Sequence, residues 1–199
     1  MALSYSNITI ELREILLKAR PESLIEISLK GTVPVLQLLN GFVIDESMDI
    51  MKWAIQHSNF LKLMNDNLEL QKLLINKNDT EFKIWLDRYK YNDRNKNYSL
   101  DECKLKCGEI LNGYENLLKD SKYFIADSVS FCDIAIFPFV RQFSNVNSNY
   151  FIATYPKLNN WLRLIIESEL FLSVMKKYPQ WKFGDNPQII NFKENLIHA

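Results

Sequence analysis

The chain has 199 residues, 47% of them apolar and 24% charged, with 24 basic residues against 24 acidic ones. That is enough apolar chain for a packed core, and it excludes a disordered tail or a fibre. A formal net charge of zero leaves no electrostatic footprint for nucleic acid or anionic lipid. There is no run of about 18 apolar residues to span a membrane, and Met1 to Asn7 has neither the charged nor the apolar region of a signal peptide. Three cysteines, an odd number, make no disulfide framework. The expectation is one large or two small domains in a reducing cytoplasm, with no nucleic-acid or membrane partner.

Ile8 to Leu17 reads as a strand, because Ile8, Ile10 and Leu12 alternate with polar neighbours. Pro21 opens a short helix to Ile27. Lys30-Gly31-Thr32 is a loop, Val33 to Leu38 a second strand, Asn40-Gly41 a two-residue hairpin signal, and Phe42-Val43-Ile44 the returning strand. From Ser47 the period turns helical, with Ile50, Met51, Ala54 and Ile55 on one stripe. A linker is expected near His57 to Asn65, and beyond it no strand signal.

Phe82, Trp85, Leu86 and Tyr89 are spaced for one helical face. Ser99 and Glu102 make a capping box ahead of a helix carrying Cys107, Ile110, Leu111, Tyr114, Leu117 and Leu118. Ser130 and Asp133 make another, with Val129 and Ile134 placed as a hydrophobic staple. Leu158, Trp161, Leu162, Ile165 and Ile166 form a further stripe, while Trp181 and Phe183 are expected to dock the tail. A small α/β part at about 1–58 is therefore followed by an all-helical part at about 66–199, the better formed of the two.

Several segments occur in a telling order: Gly31-Thr32-Val33-Pro34-Val35-Leu36, Asp45-Glu46-Ser47-Met48-Asp49-Ile50, Ser130-Phe131-Cys132-Asp133-Ile134-Ala135 and Pro156-Lys157-Leu158-Asn159-Asn160-Trp161-Leu162. Together they resemble the glutathione S-transferase superfamily over nearly the whole chain. Leu86 to Tyr91 and Phe137 to Phe143 resemble a bacterial subgroup, and Leu17 to Glu22 resembles the omega class. The resemblance implies a thioredoxin-like N-terminal domain and a helical C-terminal domain. It also implies truncation: Met1 to Asn7 is similar to the end of the family's first helix, and the strand and catalytic Cys, Ser or Tyr turn that precede that helix do not occur. In the family that strand lies inside the sheet, so its neighbours are expected to leave main-chain groups unpaired, open to rearrangement or self-association.

By the same resemblance the substrate is glutathione, with a small electrophilic or disulfide second substrate, and a homodimer is allowed. Ser47, at a helix start, would hold the γ-glutamyl carboxylate with its N–H and hydroxyl, and Glu46 would pair with the ammonium. The residue-level alternative is that Glu46-Ser47 merely caps the helix. A cis Val33–Pro34 peptide would turn the Val33 N–H and C=O toward the cysteinyl backbone, the alternative being a trans proline opening a strand. Arg20 is placed to hold the glycyl carboxylate, or else is a solvated arginine before Pro21.

No catalytic residue and no metal ligand set is identified: His57 and His198 are the chain's histidines, and no Cys/His spacing suits zinc. Cys103, Cys107 and Cys132 read as buried thiols, with a Cys103/Cys107 redox pair as the alternative. Arg141 is expected in a buried ion pair. Three functions remain open: a cytosolic glutathione transferase or thioltransferase in complete form, a non-catalytic interaction module of the same fold, and an inactive truncated product.

Overall fold

A computed structural model describes residues 1–57, 67–92 and 97–192. Most of the expected linker lies outside the described residues. The chain forms two compact units, Met1–Leu61 with Glu169–Ala199, and Lys62–Ser168.

The first unit opens with a short helix, α1 (Ala2–Tyr5), and a strand, β1 (Ile10–Glu11). The expected strand over Ile8 to Leu17 is thus cut to two ladder residues, though Ile10 and Leu12 do stay half-buried between exposed neighbours. It stops because the chain turns: the Ala19 N–H bonds the Leu16 carbonyl at 2.9 Å. β1 pairs antiparallel with β4 (Ile189–Ile190), a strand near the end of the chain that the sequence reading missed. Leu12 N–H donates to the Gln188 carbonyl and Trp181 N–H to the Glu14 carbonyl, each at 2.8 Å. The Arg13 guanidinium lies 4.8 Å from the Trp181 ring centre. Trp181 therefore docks the tail as expected, but Phe183 does not, being 95% exposed.

Helix α2 (Glu22–Ile27) follows Pro21, which sits at its N-cap. β2 (Leu36–Gln37) and β3 (Val43–Ile44) form the hairpin, with Leu36 opposite Ile44. Its turn is not the two-residue one. Leu38 N–H bonds the Phe42 carbonyl at 2.8 Å, and Gly41 N–H bonds the Leu38 carbonyl at 2.9 Å, leaving a three-residue loop. Gly41 takes the left-handed position at φ 86°, the conformation such a loop needs after a turn. Helix α3 (Ser47–Gln56) buries Ile50, Ala54 and Ile55, as its periodicity requires. Later, α10 (Glu169–Val174) meets α1, where the Ser4 and Ser173 hydroxyls lie 2.9 Å apart.

The second unit holds nearly all the large, fully buried side chains, among them Phe82, Tyr114, Phe143, Phe151, Tyr155 and Trp161. α4 (Leu68–Lys77) runs through a π-helical turn at Asn78–Phe82 into α5 (Lys83–Lys90). Phe82, Leu86 and Tyr89 are buried, while Trp85 is half-buried. Before α6 (Leu100–Leu117) the Ser99 hydroxyl accepts from Glu102 N–H at 3.1 Å, which is half of the expected capping box. Helix α7 (Phe131–Val146) has the full box at Ser130 and Asp133, and Gln71 accepts its Cys132 N–H at 3.1 Å. Arg141 is half-buried rather than buried. α8 (Ser148–Thr154) leads into α9 (Pro156–Ile166), whose first turn is capped across helices: Glu115 accepts from the Lys157 and Leu158 N–H groups at 3.0 and 2.7 Å.

Asp133 links these parts. Its carboxylate is fully buried and accepts from Phe124 N–H at 3.0 Å, Ser130 N–H at 2.9 Å, the Ser130 hydroxyl and the Trp161 indole N–H at 2.7 Å. Burial pushes its carboxyl pKa up, against the pull of those donors. Asp133→Ala would strand the Phe124 amide and the Trp161 indole, each at about 1–3 kcal/mol. Denaturant melts of Asp133→Ala should show a loss of about 3 kcal/mol or more, with a smaller loss for Asp133→Asn, which keeps one acceptor. A loss under about 1 kcal/mol in the alanine variant would contradict the linking role.

Candidate functional site

The five expected site residues all belong to the first unit. Arg20 lies beside the 28–31 turn. Gly31 N–H bonds the Ser28 carbonyl at 2.9 Å, and Gly31 has φ 58°. A Cβ there would stand 2.8 Å from Ile25 Cδ1 and 3.2 Å from Arg20 Nη1, so these side-chain ends would have to shift, and the positive φ favours glycine. Past this turn the Val33–Pro34 peptide is cis, as the sequence reading expected, and both residues are exposed. Val33 N–H and C=O have no hydrogen-bond partner among the described residues.

Glu46 is the N-cap of α3 and Ser47 its first residue. The hairpin register places Leu36 opposite Ile44. Val33 and Pro34 lie just before β2, and Glu46 and Ser47 just after β3, the two paired strands of the hairpin. Neither Glu46 nor Ser47 caps the helix with its side chain. The Glu46 carbonyl accepts from Asp49 and Ile50 N–H at 3.1 and 3.0 Å, while the Ser47 and Met48 N–H groups have no partner among the described residues. A solvent-facing helix N-terminus with uncommitted amides suits a carboxylate.

The sequence reading passed over Lys30 as loop. Its ammonium reaches Glu46 Oε1 at 2.5 Å and Asp45 Oδ1 at 3.2 Å, and the Ser28 hydroxyl donates to Asp45 Oδ2 at 2.9 Å. The bonds to Glu46 and then Asp45 raise the Lys30 pKa. The Ser28 hydroxyl first, and Lys30 second, hold the Asp45 carboxyl below the usual carboxylate range. Only the carboxylates' position after β3 could have hinted at Lys30, since the loop that aims it is set by the Gly31 turn.

Two open clefts lie elsewhere. One, of about 220 Å³, is lined by Lys77, Glu81, Trp85, Lys106, Glu109 and Ile110 in the second unit. The other, of about 310 Å³, lies between Leu12 and the 178–188 segment of the first unit. Neither is lined by an expected site residue. No group of three His, Cys, Asp or Glu residues suited to a metal occurs among the described residues, and no helix there is long and apolar enough to cross a membrane.

The family profile described as the glutathione S-transferase N-terminal domain matches residues 1–60, and the one described as the glutathione S-transferase C-terminal domain matches residues 77–169. A probable glutathione S-transferase, parA, from Nicotiana tabacum is 28% identical over 193 residues, covering 90% of this chain and 82% of the relative. A class Gtt2 glutathione S-transferase from Vibrio parahaemolyticus superposes with a TM-score of 0.61 at 25% identity, over 81% of this chain and 80% of that one. BphK, a bacterial glutathione S-transferase solved as a ternary complex, gives a TM-score of 0.71 at 18% identity over 86% and 88% of the two chains. With both family domains matched in sequence order and the fold shared with these structures, the chain belongs to the glutathione S-transferase superfamily.

Proposed function

We propose that this chain binds glutathione at Val33, Pro34, Glu46 and Ser47, with Arg20 at the margin. We further propose that it serves conjugation of, or thiol transfer to, a small electrophilic or disulfide substrate in the cytoplasm, with 1–58 as the glutathione-binding domain and a helical domain that starts near 66 and ends before the 169–192 segment, which packs with the first unit. The carrying observation is the start of α3, whose Ser47 and Met48 amides have no partner among the described residues and follow directly on β3, the strand paired with the one that Val33–Pro34 leads into. The γ-glutamyl carboxylate would take those amides and the Ser47 hydroxyl, and Glu46 would face the ammonium. The cysteinyl backbone would pair with Val33 as an added strand does. Arg20, next to the 28–31 turn, would meet the glycyl carboxylate.

Calorimetric titration tests this. Glutathione should bind at millimolar affinity or better, and Ser47→Ala or Glu46→Ala should each weaken binding about 5- to 10-fold, the worth of one hydrogen bond to a charged group. Absence of heat with the unaltered chain, or unchanged affinity in both variants, would end the reading.

The cysteines bear on the type of chemistry. All three are buried, and burial pushes the Cys107 and Cys132 thiols up to about 12. Exchange through a protein thiol needs a thiolate at working pH. These residues therefore favour conjugation, or a non-catalytic binding module, over mixed-disulfide exchange at a cysteine of this chain. At pH 8 the native protein should leave an aromatic disulfide reagent untouched, and the unfolded chain should react at all three positions. Because the folded pKa of Cys107 and Cys132 exceeds the unfolded value of 9.0, the stabilising share of these two thiols is full below pH 9 and is lost as pH rises toward about 12. Melting temperature should fall across that window, and a native thiol reacting promptly at pH 8 would contradict the burial argument.

A further inference from the structure

The Ser28–Gly31 turn is closed by the Gly31 N–H on the Ser28 carbonyl at 2.9 Å, with Gly31 in the left-handed region at φ 58°. That turn sends Lys30 toward the end of β3. There its ammonium bridges Asp45 and Glu46, at 3.2 and 2.5 Å. The two carboxylates are not equivalent. Asp45 is fixed at both oxygens, by Ser28 on Oδ2 and by Lys30 on Oδ1. Glu46 is held at Oε1 by Lys30, with no second partner among the described residues. The Lys30 and Glu46 side chains are 51% and 61% exposed, so this arm of the bridge is a surface ion pair that another cation can displace.

We propose that Lys30 is an internal counter-ion occupying the ammonium position at Glu46, and that it gives way when a ligand carrying an α-ammonium binds. The proposal rests on the glutathione reading and adds a specificity-determining residue to it. The second anchor at Asp45 makes the exchange local: Lys30 keeps one carboxylate when it yields the other, so neither cation is stranded. While it bridges, Lys30 neutralises Glu46 and repels an incoming ammonium. It thereby lowers the site's preference for ligands with an α-ammonium over ligands identical but for that group.

The test compares glutathione with its des-amino analogue, in which a glutaryl group replaces the γ-glutamyl group, by calorimetry on the full chain. The readout is the ratio of the two affinities, which cancels a general effect of a variant on fold, and Lys52→Met, which removes an equal charge from another exposed lysine of the same unit, gives the share of any change that net charge alone produces. In Lys30→Met the preference for glutathione should rise about two- to five-fold, the range of an exposed ion pair, and in Lys30→Arg it should return to the unaltered value. A ratio that stays the same or falls in Lys30→Met overturns the proposal while leaving the glutathione reading standing. An unaltered chain that binds neither ligand overturns both.

Discussion

A buried carboxylate is tolerated when hydrogen-bond donors replace its lost water, and Asp133, in no ion pair among the described residues, is such a group. Its donors come from three places: the loop before α7 through Phe124, the N-cap of α7 through Ser130, and α9 through Trp161. One side chain thus fixes the entry of the central helix, the loop feeding it and the helix packed on it. The Phe124 and Trp161 rings stack at 4.6 Å beside it, so polar satisfaction and aromatic packing impose the same geometry. Glu115 repeats the device at the start of α9, where Pro156 leaves two amides for a carboxylate of another helix to accept.

The first unit meets the same demand by different means. Its sheet comes in two pieces of two strands each. Ile189–Ile190 adds a strand to β1, and Gln188 and Trp181 continue the contact with the Leu12 N–H and the Glu14 carbonyl. Few large apolar side chains are buried here, and Leu29, Leu39 and Phe42 face solvent. Order in this unit therefore depends on hydrogen bonds between short segments and on the α3 stripe of Ile50, Ala54 and Ile55, more than on a deep core.

That contrast explains what the sequence could reveal. Helix α9 is legible because Leu158, Trp161, Leu162 and Ile165 repeat at the helical period and are buried. The Ser130–Asp133 cap is legible because its chemistry is local. β4 was not: two residues carry no period, and what makes Ile189–Ile190 a strand is a partner nearly the whole chain away. The extent of β1 was misjudged for the same reason, since alternation continues past the point where pairing stops. The hairpin turn was misread because Asn-Gly serves both two- and three-residue loops, and the choice falls to Leu38 and Phe42 closing the ladder. At the site, Val33–Pro34 and Glu46-Ser47 stood out through family resemblance. Lys30 did not, because its role depends on where a glycine turn aims it.

The site residues share a design in which backbone sets position and side chains set charge. The Gly31 turn and the Leu36–Ile44 register are main-chain features, and from that turn Ser28 and Lys30 reach Asp45 and Glu46 at the start of α3. Ser28, Lys30, Asp45 and Glu46 then settle how much negative charge faces solvent there. A Ser28 hydroxyl committed to Asp45 keeps that carboxylate ionised and immobile, which leaves Glu46 as the adjustable member. The uncommitted amides of α3 and the Glu46 carboxylate are thus adjacent but set by different groups, the arrangement that the proposed zwitterionic end group would need.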